Sequence, residues 1–229
     1  AYSTDKVLTV SGVTAFGQPY DLGEALTTNV YLTVVTDYDG IDVGYTAKDN
    51  GDGTATITGY DGKGYLTEDG LIIINIPDEV TVGGQQLTVT AIADGAFDAT
   101  KNSACINIGY VRIPSSVKTI GDKAFYMCEG LVSVDIVPGG LETIGESAFE
   151  GTSLVTVAIP LANLKEVGAY AFKIETLEQF LPAEGEEDRD MLTKTGLKEG
   201  DFFIRQDVIG ADGYTPIYGG YGLYQYVGK

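Results

Sequence analysis

Thirty-three carboxylates, fourteen cations and no histidine define the chemistry open to this chain of 229 residues. Without histidine there is no Ser-His-Asp or Cys-His relay and no histidine-ligated metal. A glycosidase needs only two carboxylates at a set separation. Among so many acids such pairs can be drawn at will, and no motif isolates one. The composition therefore points to a protein that is not an enzyme and needs no cofactor.

Two further groups could carry chemistry. Cys105 lies eight residues before Ile113, and Cys128 lies eight before Ile136. That shared phase allows a disulfide between them, and equally a ladder of buried thiols filling a small slot, the favoured reading. Asp49 to Thr54 (DNGDGT) suggests a calcium loop, but position three is Gly51 and position twelve is Tyr60. A helix-loop-helix calcium loop needs an acid or amide at the first and a glutamate at the second. A hairpin turn explains the residues better, with a looser oxygen site from Asp37, Asp39, Asp42 and Asp49 as the alternative.

These residues are positioned by an internal repeat. Ile92 to Phe97 (IADGAF), Ile120 to Phe125 (IGDKAF), Ile144 to Phe149 (IGESAF) and Val167 to Phe172 (VGAYAF) are one phrase, with phenylalanines 28, 24 and 23 residues apart. Between them Ile108-x-x-Val111-x-Ile113, Leu131-x-x-Val134-x-Ile136 and Leu154-x-x-Val157-x-Ile159 share one spacing, with a worn copy at Leu177 and Phe180. A period of 20–30 residues marks a solenoid in which each unit covers the apolar edge of the last. The Ile, Ala and Phe of one phrase and the Leu, Val and Ile of the other are its core. Glycine at the phrase's second position suits a tight turn where a side chain would crowd the neighbouring rung.

Recognition is left to residues that alternate outward. Tyr110, Ser133, Thr156 and Gln179 follow one another at 23 residues, with Arg112, Asp135 and Ala158 beside them. In one parallel sheet these form two adjacent ladders on an open face. Tyr110 and Arg112 stand out, because Tyr and Arg dominate interface hot spots. Tyr214, Tyr218, Tyr221 and Tyr224, with Tyr226, crowd the last sixteen residues of a chain that has no tryptophan. They read as a surface for stacking on sugars or peptides, or as a β cap that buries rings and keeps hydroxyls wet.

The flanks do not repeat. Lys6–Val13 and Val30–Thr36 read as strands and Gln18 to Tyr20 as a turn, whereas Leu71–Ile76 (LIIINI) reads as a strand covered on both sides. Beyond Pro182 three strands are expected within Asp201–Ile209, Tyr214–Tyr218 and Tyr221–Val227. The expected division is residues 1–44, an N-terminal β segment; 45–185, the solenoid with its cap; and 186–229, a C-terminal β cap. The net charge of −19 argues against nucleic acid, whose phosphates need clustered cations. There is no apolar run long enough to span a membrane. The chain starts without Met and without a leader, as after removal of a signal or within a longer protein.

The phrase Ile-Gly-x-x-Ala-Phe, a cysteine three residues on (Phe125 to Cys128) and the following Leu-x-x-Val-x-Ile resemble the BspA-like class of bacterial leucine-rich repeats. The stretch Asp52 to Tyr60, with Ile76, Pro77 and Val89 to Ile92, is similar to that class's usual first unit. The resemblance covers about Tyr45 to Pro182. It implies a mainly β fold with short helical turns, a leucine-rich-repeat solenoid of about four units flanked by non-repeat β segments. It also implies a secreted or bacterial cell-surface protein, with adhesion to a protein or glycan as the expected function. The alternative is a structural subunit that joins copies or modules through its flanking strands, by self-association.

Overall fold

The computed structural model describes residues 44–177 continuously. Outside them it describes the backbone of the strands Val10–Ala15, Gln18–Pro19, Leu32–Thr36, Gln179–Pro182, Phe202–Ile204, Tyr214–Pro216 and Leu223–Tyr226. The chain divides into two units, Ala1–Asp42 and Val43–Lys229. In the first, Val10–Ala15 pairs antiparallel with both Leu32–Thr36 and Gln18–Pro19. Gln18 and Pro19 are thus strand residues rather than a turn, and Tyr20 lies outside the described residues.

The second unit is built on two ladders of mostly parallel strands, because each repeat supplies two short strands. The first ladder runs Ile72–Asn75, Ile108–Ile113 and Ser133–Ile136. Thr156–Ile159 and Gln179–Pro182 follow as a parallel pair. Thr156–Ile159 packs beside Ser133–Ile136, but they belong to separate sheets among the described residues. The second ladder runs Thr54–Tyr60, Gln85–Ile92, Thr119–Ile120, Thr143–Ile144 and Glu166–Val167. Each IGxxAF phrase therefore opens on the last residue of a strand. Among the described residues the only helix is the 3-10 turn Ser103–Asn107, between Phe97 and the strand Ile108–Ile113.

The inward residues are buried as their spacing predicts. Phe97, Phe125, Phe149 and Phe172 are fully or almost fully enclosed. They stack as a column, with ring centroids 4.9, 5.3 and 5.5 Å apart and planes within 9°. Strand rungs lie about 4.8 Å apart, so like residues on successive rungs meet at stacking distance. The column is closed at its N-terminal end by Tyr60, tilted 38° against Phe97, and by Tyr45, edge-on to it. Both come from the hairpin Tyr45–Asp49 and Thr54–Tyr60. Tyr45 stays there because its hydroxyl donates to the Asn75 carbonyl at 2.8 Å. Phe202 and Leu223, from the C-terminal three-stranded sheet, are buried in the same core cluster.

The phrase's second glycine is crowded by the neighbouring rung, as its position predicts: a Cβ at Gly121 would stand 2.6 Å from the Asp94 nitrogen. Gly145 and Gly168 are crowded in the same way by Asp122 and Glu146. The left-handed residue is the phrase's fourth: Gly95, Lys123, Ser147 and Tyr170 have φ of 63, 55, 55 and 60°. One local reading needs correction: Leu71–Ile76 is not covered on both sides. Ile72, Ile74 and Ile76 are buried, whereas Ile73 and Asn75 alternate outward and stay half-buried.

Candidate binding face

Outward residues of the first ladder come into register as the 23-residue spacing predicts. Tyr110 pairs with Ser133 and Arg112 with Asp135. Thr156 pairs with Gln179 across the later strand pair. Tyr110, Ser133, Asp135 and Thr156 are exposed, and Arg112 and Ala158 half-buried. Arg112 Nε lies 3.5 Å from Asp135 Oδ2, so the face's cation is paired with the acid of the next rung. Crowding by the sheet raises the Asp135 carboxyl's pKa, and Arg112 opposes the rise.

The two rows extend further toward the N-terminus than the repeat spacing showed. Ile73 pairs with Tyr110 and Asn75 with Arg112. Tyr65 pairs with Ile73 on the antiparallel strand beyond. Gly109 is an extra residue in the ladder, since the register shifts between Ile108 and Tyr110. A side chain there would collide with Leu71, 2.7 Å from the position of its Cβ. A third row therefore runs Leu71, Gly109, Val132 and Val155. Val132 and Val155 are 41% and 45% exposed, and the Val132 amide donates to the Gly109 carbonyl at 3.0 Å. The signal was in the sequence as the second residue of LVSV and LVTV. The repeat pattern leaves these valines at unassigned positions between its Leu and its Val.

The other candidates divide clearly. Tyr214 and Tyr224 lie on strands of the C-terminal sheet, with Tyr214 opposite Tyr226 and Tyr224 between Phe203 and Pro216. Tyr218 and Tyr221 lie outside the described residues, as do Asp37, Asp39 and Asp42. Asp49 and Asp52 hold the hairpin turn: Asp49 Oδ1 accepts the Gly51 amide, and Asp52 Oδ1 accepts both the Thr54 amide and its hydroxyl. The hydrogen bonds from Thr54 hold the Asp52 carboxyl below its ordinary pKa. Cys105 and Cys128 are both free and fully buried. The Cys128 thiol donates to the Phe97 carbonyl at 3.0 Å. Burial raises both thiols, Cys105 to about 11. Neither is a poised nucleophile.

The model for the BspA type leucine rich repeat region matches residues 90–187, in six copies. A leucine-rich repeat protein from Bacteroides capillosus is 32% identical, with a TM-score of 0.50 over 60% of this chain and 93% of that one. This chain belongs to the BspA-type leucine-rich-repeat family. A leucine-rich repeat protein from Bacteroides ovatus is 26% identical, with a TM-score of 0.43 over 63% of this chain and 42% of that one. A leucine rich cell surface protein from Faecalibacterium prausnitzii is 22% identical, with a TM-score of 0.33 over 67% and 56%. The chain thus spans less than two thirds of the length of these last two. No curated protein matches it.

Proposed function

We propose that this chain is a non-catalytic binding module of a secreted or surface-attached bacterial protein, which recognises a protein or glycan through the first ladder's outward face. The observation that carries this reading is the contrast between the two kinds of position. Among the described residues the inward positions of the repeat are taken up by a stacked core, whereas Tyr110, Val132 and Val155 are large, apolar and 40–45% exposed. A protein that only needed solubility gains nothing from apolar side chains there. The rigid rungs fix the spacing of those side chains, which lowers the entropy cost of binding. Membership of the repeat family supports the surface placement and the non-catalytic role.

The test is saturable binding to arrays of glycans and host matrix proteins, run beside the double variant Tyr110→Ala with Arg112→Ala. Binding that is lost in a variant of unchanged melting temperature supports this face. Binding that survives moves the site to the terminal tyrosines. An absence of binding, with self-association that grows with concentration, leaves the module-joining alternative in front.

A further inference from the structure

The six large apolar residues most exposed among those described are Leu66, Ile106, Tyr110, Val132, Val155 and Tyr170. Three of these, Tyr110, Val132 and Val155, lie at or near the starts of the successive strands Ile108–Ile113, Ser133–Ile136 and Thr156–Ile159, and Ile106 lies in the 3-10 turn that leads into the first of them. Single exposed hydrophobes need no explanation, but a contiguous group marks a contact surface. Leu71 fills the gap over Gly109, so the group forms a strip that crosses the strands. Resting on the reading above, we infer that this strip docks a basic amphipathic helix of a protein partner.

The chemistry of the strip selects the occupant. Its centre offers side-chain hydrocarbon with few hydrogen-bonding groups, which suits a protein's apolar side chains better than the hydroxyls of a glycan. Ile72–Asn75, Ile108–Ile113 and Ser133–Ile136 beneath it already pair their backbones with one another, and Thr156–Ile159 pairs with Gln179–Pro182. An extended peptide lying across them would therefore gain no ladder, whereas a helix brings its backbone bonds with it. Rungs about 4.8 Å apart match the spacing of helix side chains three and four residues apart, roughly 4.5–6 Å along the axis. Charge sets the sign. The strip is flanked by the exposed acids Glu129 and Asp135. Among the described residues the ladder's cation is Arg112, which is already paired with Asp135. The whole chain carries −19. Lysines or arginines beside the partner's apolar stripe meet that field, and acids there are repelled.

The experiment titrates the whole chain with a helix-forming peptide of about 18 residues, made of leucine and lysine with leucines at i, i+3, i+4 and i+7. A scrambled peptide of equal charge and a version with glutamate for lysine run beside it. Saturable binding of the lysine peptide is expected, weaker by about tenfold or more for the scrambled peptide and for Val132→Ser with Val155→Ser. The glutamate peptide should not bind. Val155→Ser alone serves where the double variant melts early. Equal binding of scrambled and patterned peptides, or no effect of the valine changes, overturns the inference and leaves only general attraction to an acidic surface. A glycan captured on the arrays through Tyr110, with no peptide binding, overturns it as well while the proposed function stands.

Discussion

Phe97 and Phe125, one repeat apart, stack with ring centroids 4.9 Å apart and planes only 6° from parallel. Equal placement on successive rungs brings the two rings to stacking distance, and two more stacked pairs follow. The column is the clearest sign that the repeats share one geometry, and the outward face inherits its regularity.

Phe125 has a phenylalanine above and below and is fully buried. Phe125→Ala should cost about 3–5 kcal/mol, since the cavity cannot collapse between two fixed rungs. Tyr45→Phe, which only removes the hydroxyl bond to Asn75, should cost about 1 kcal/mol. Denaturant titration of both variants checks the ratio.

The phrase's second and fourth positions should respond oppositely to glycine chemistry. Gly121→Ala drives a methyl into the Asp94 backbone and should destabilise by more than about 1 kcal/mol. Lys123 has φ of 55°, so Lys123→Gly relieves strain while losing the ammonium's place over the Tyr126 ring. Lys123→Val keeps the strain and adds a β-branch, and should be about 1–2 kcal/mol less stable than Lys123→Gly. Thermal melts of the three variants give the order.

The thiols should leave a mark at alkaline pH. Cys105 rises from 9.0 to about 11 because burial disfavours its thiolate, with the Asp98 carboxylate adding to the rise. The unfolded chain then holds fewer protons than the folded one between those values. The thiol's stabilisation is complete below pH 9 and is lost as pH climbs toward 11. Replacing both cysteines by alanine should flatten that decline. Alkylation at pH 8 should leave the folded chain unmodified and label two thiols after denaturation; a disulfide-linked mass would contradict it.

Asp98 should act at the acid end. Its side chain is 2% exposed, and burial pushes its carboxyl up. Hydrogen bonds from Thr100 and Lys101 outweigh that and hold it below the ordinary value of 3.8. The contribution is therefore present above the unfolded carboxyl's pKa and is lost as pH falls through the lower folded one. Asp98→Ala should lose about 1–3 kcal/mol at neutral pH, as the hydroxyl and amide of Thr100 lose their acceptor. The difference from the parent should shrink on acidification, measured by denaturant titration across pH.

What the sequence made legible were the residues that fill repeated slots. Ile120, Ala124 and Phe125 recur at one spacing because each must meet its own kind on the next rung. The register of Tyr110 with Ser133 follows from the same arithmetic. The left-handed fourth position was hidden, because Gly95, Lys123, Ser147 and Tyr170 share no chemistry. The turn is held by the neighbouring rung, whose Glu146 and Ala169 carbonyls accept the amides of Lys123 and Ser147. Val132 and Val155 were hidden too, since burial depends on the direction of a strand's first residues and not on side-chain type. Leu71 came to the face only through the bulge at Gly109, which no periodicity reports.

The proposed face is tested most directly by two single charge insertions on exposed positions, Ser133→Arg on the first ladder and Glu166→Arg on the second. Both are compared for affinity toward whichever partner the arrays identify. A loss of about tenfold or more for Ser133→Arg, with Glu166→Arg unchanged and both melting like the parent, is the expected result. Equal affinity for Ser133→Arg and the parent would place recognition elsewhere on the chain.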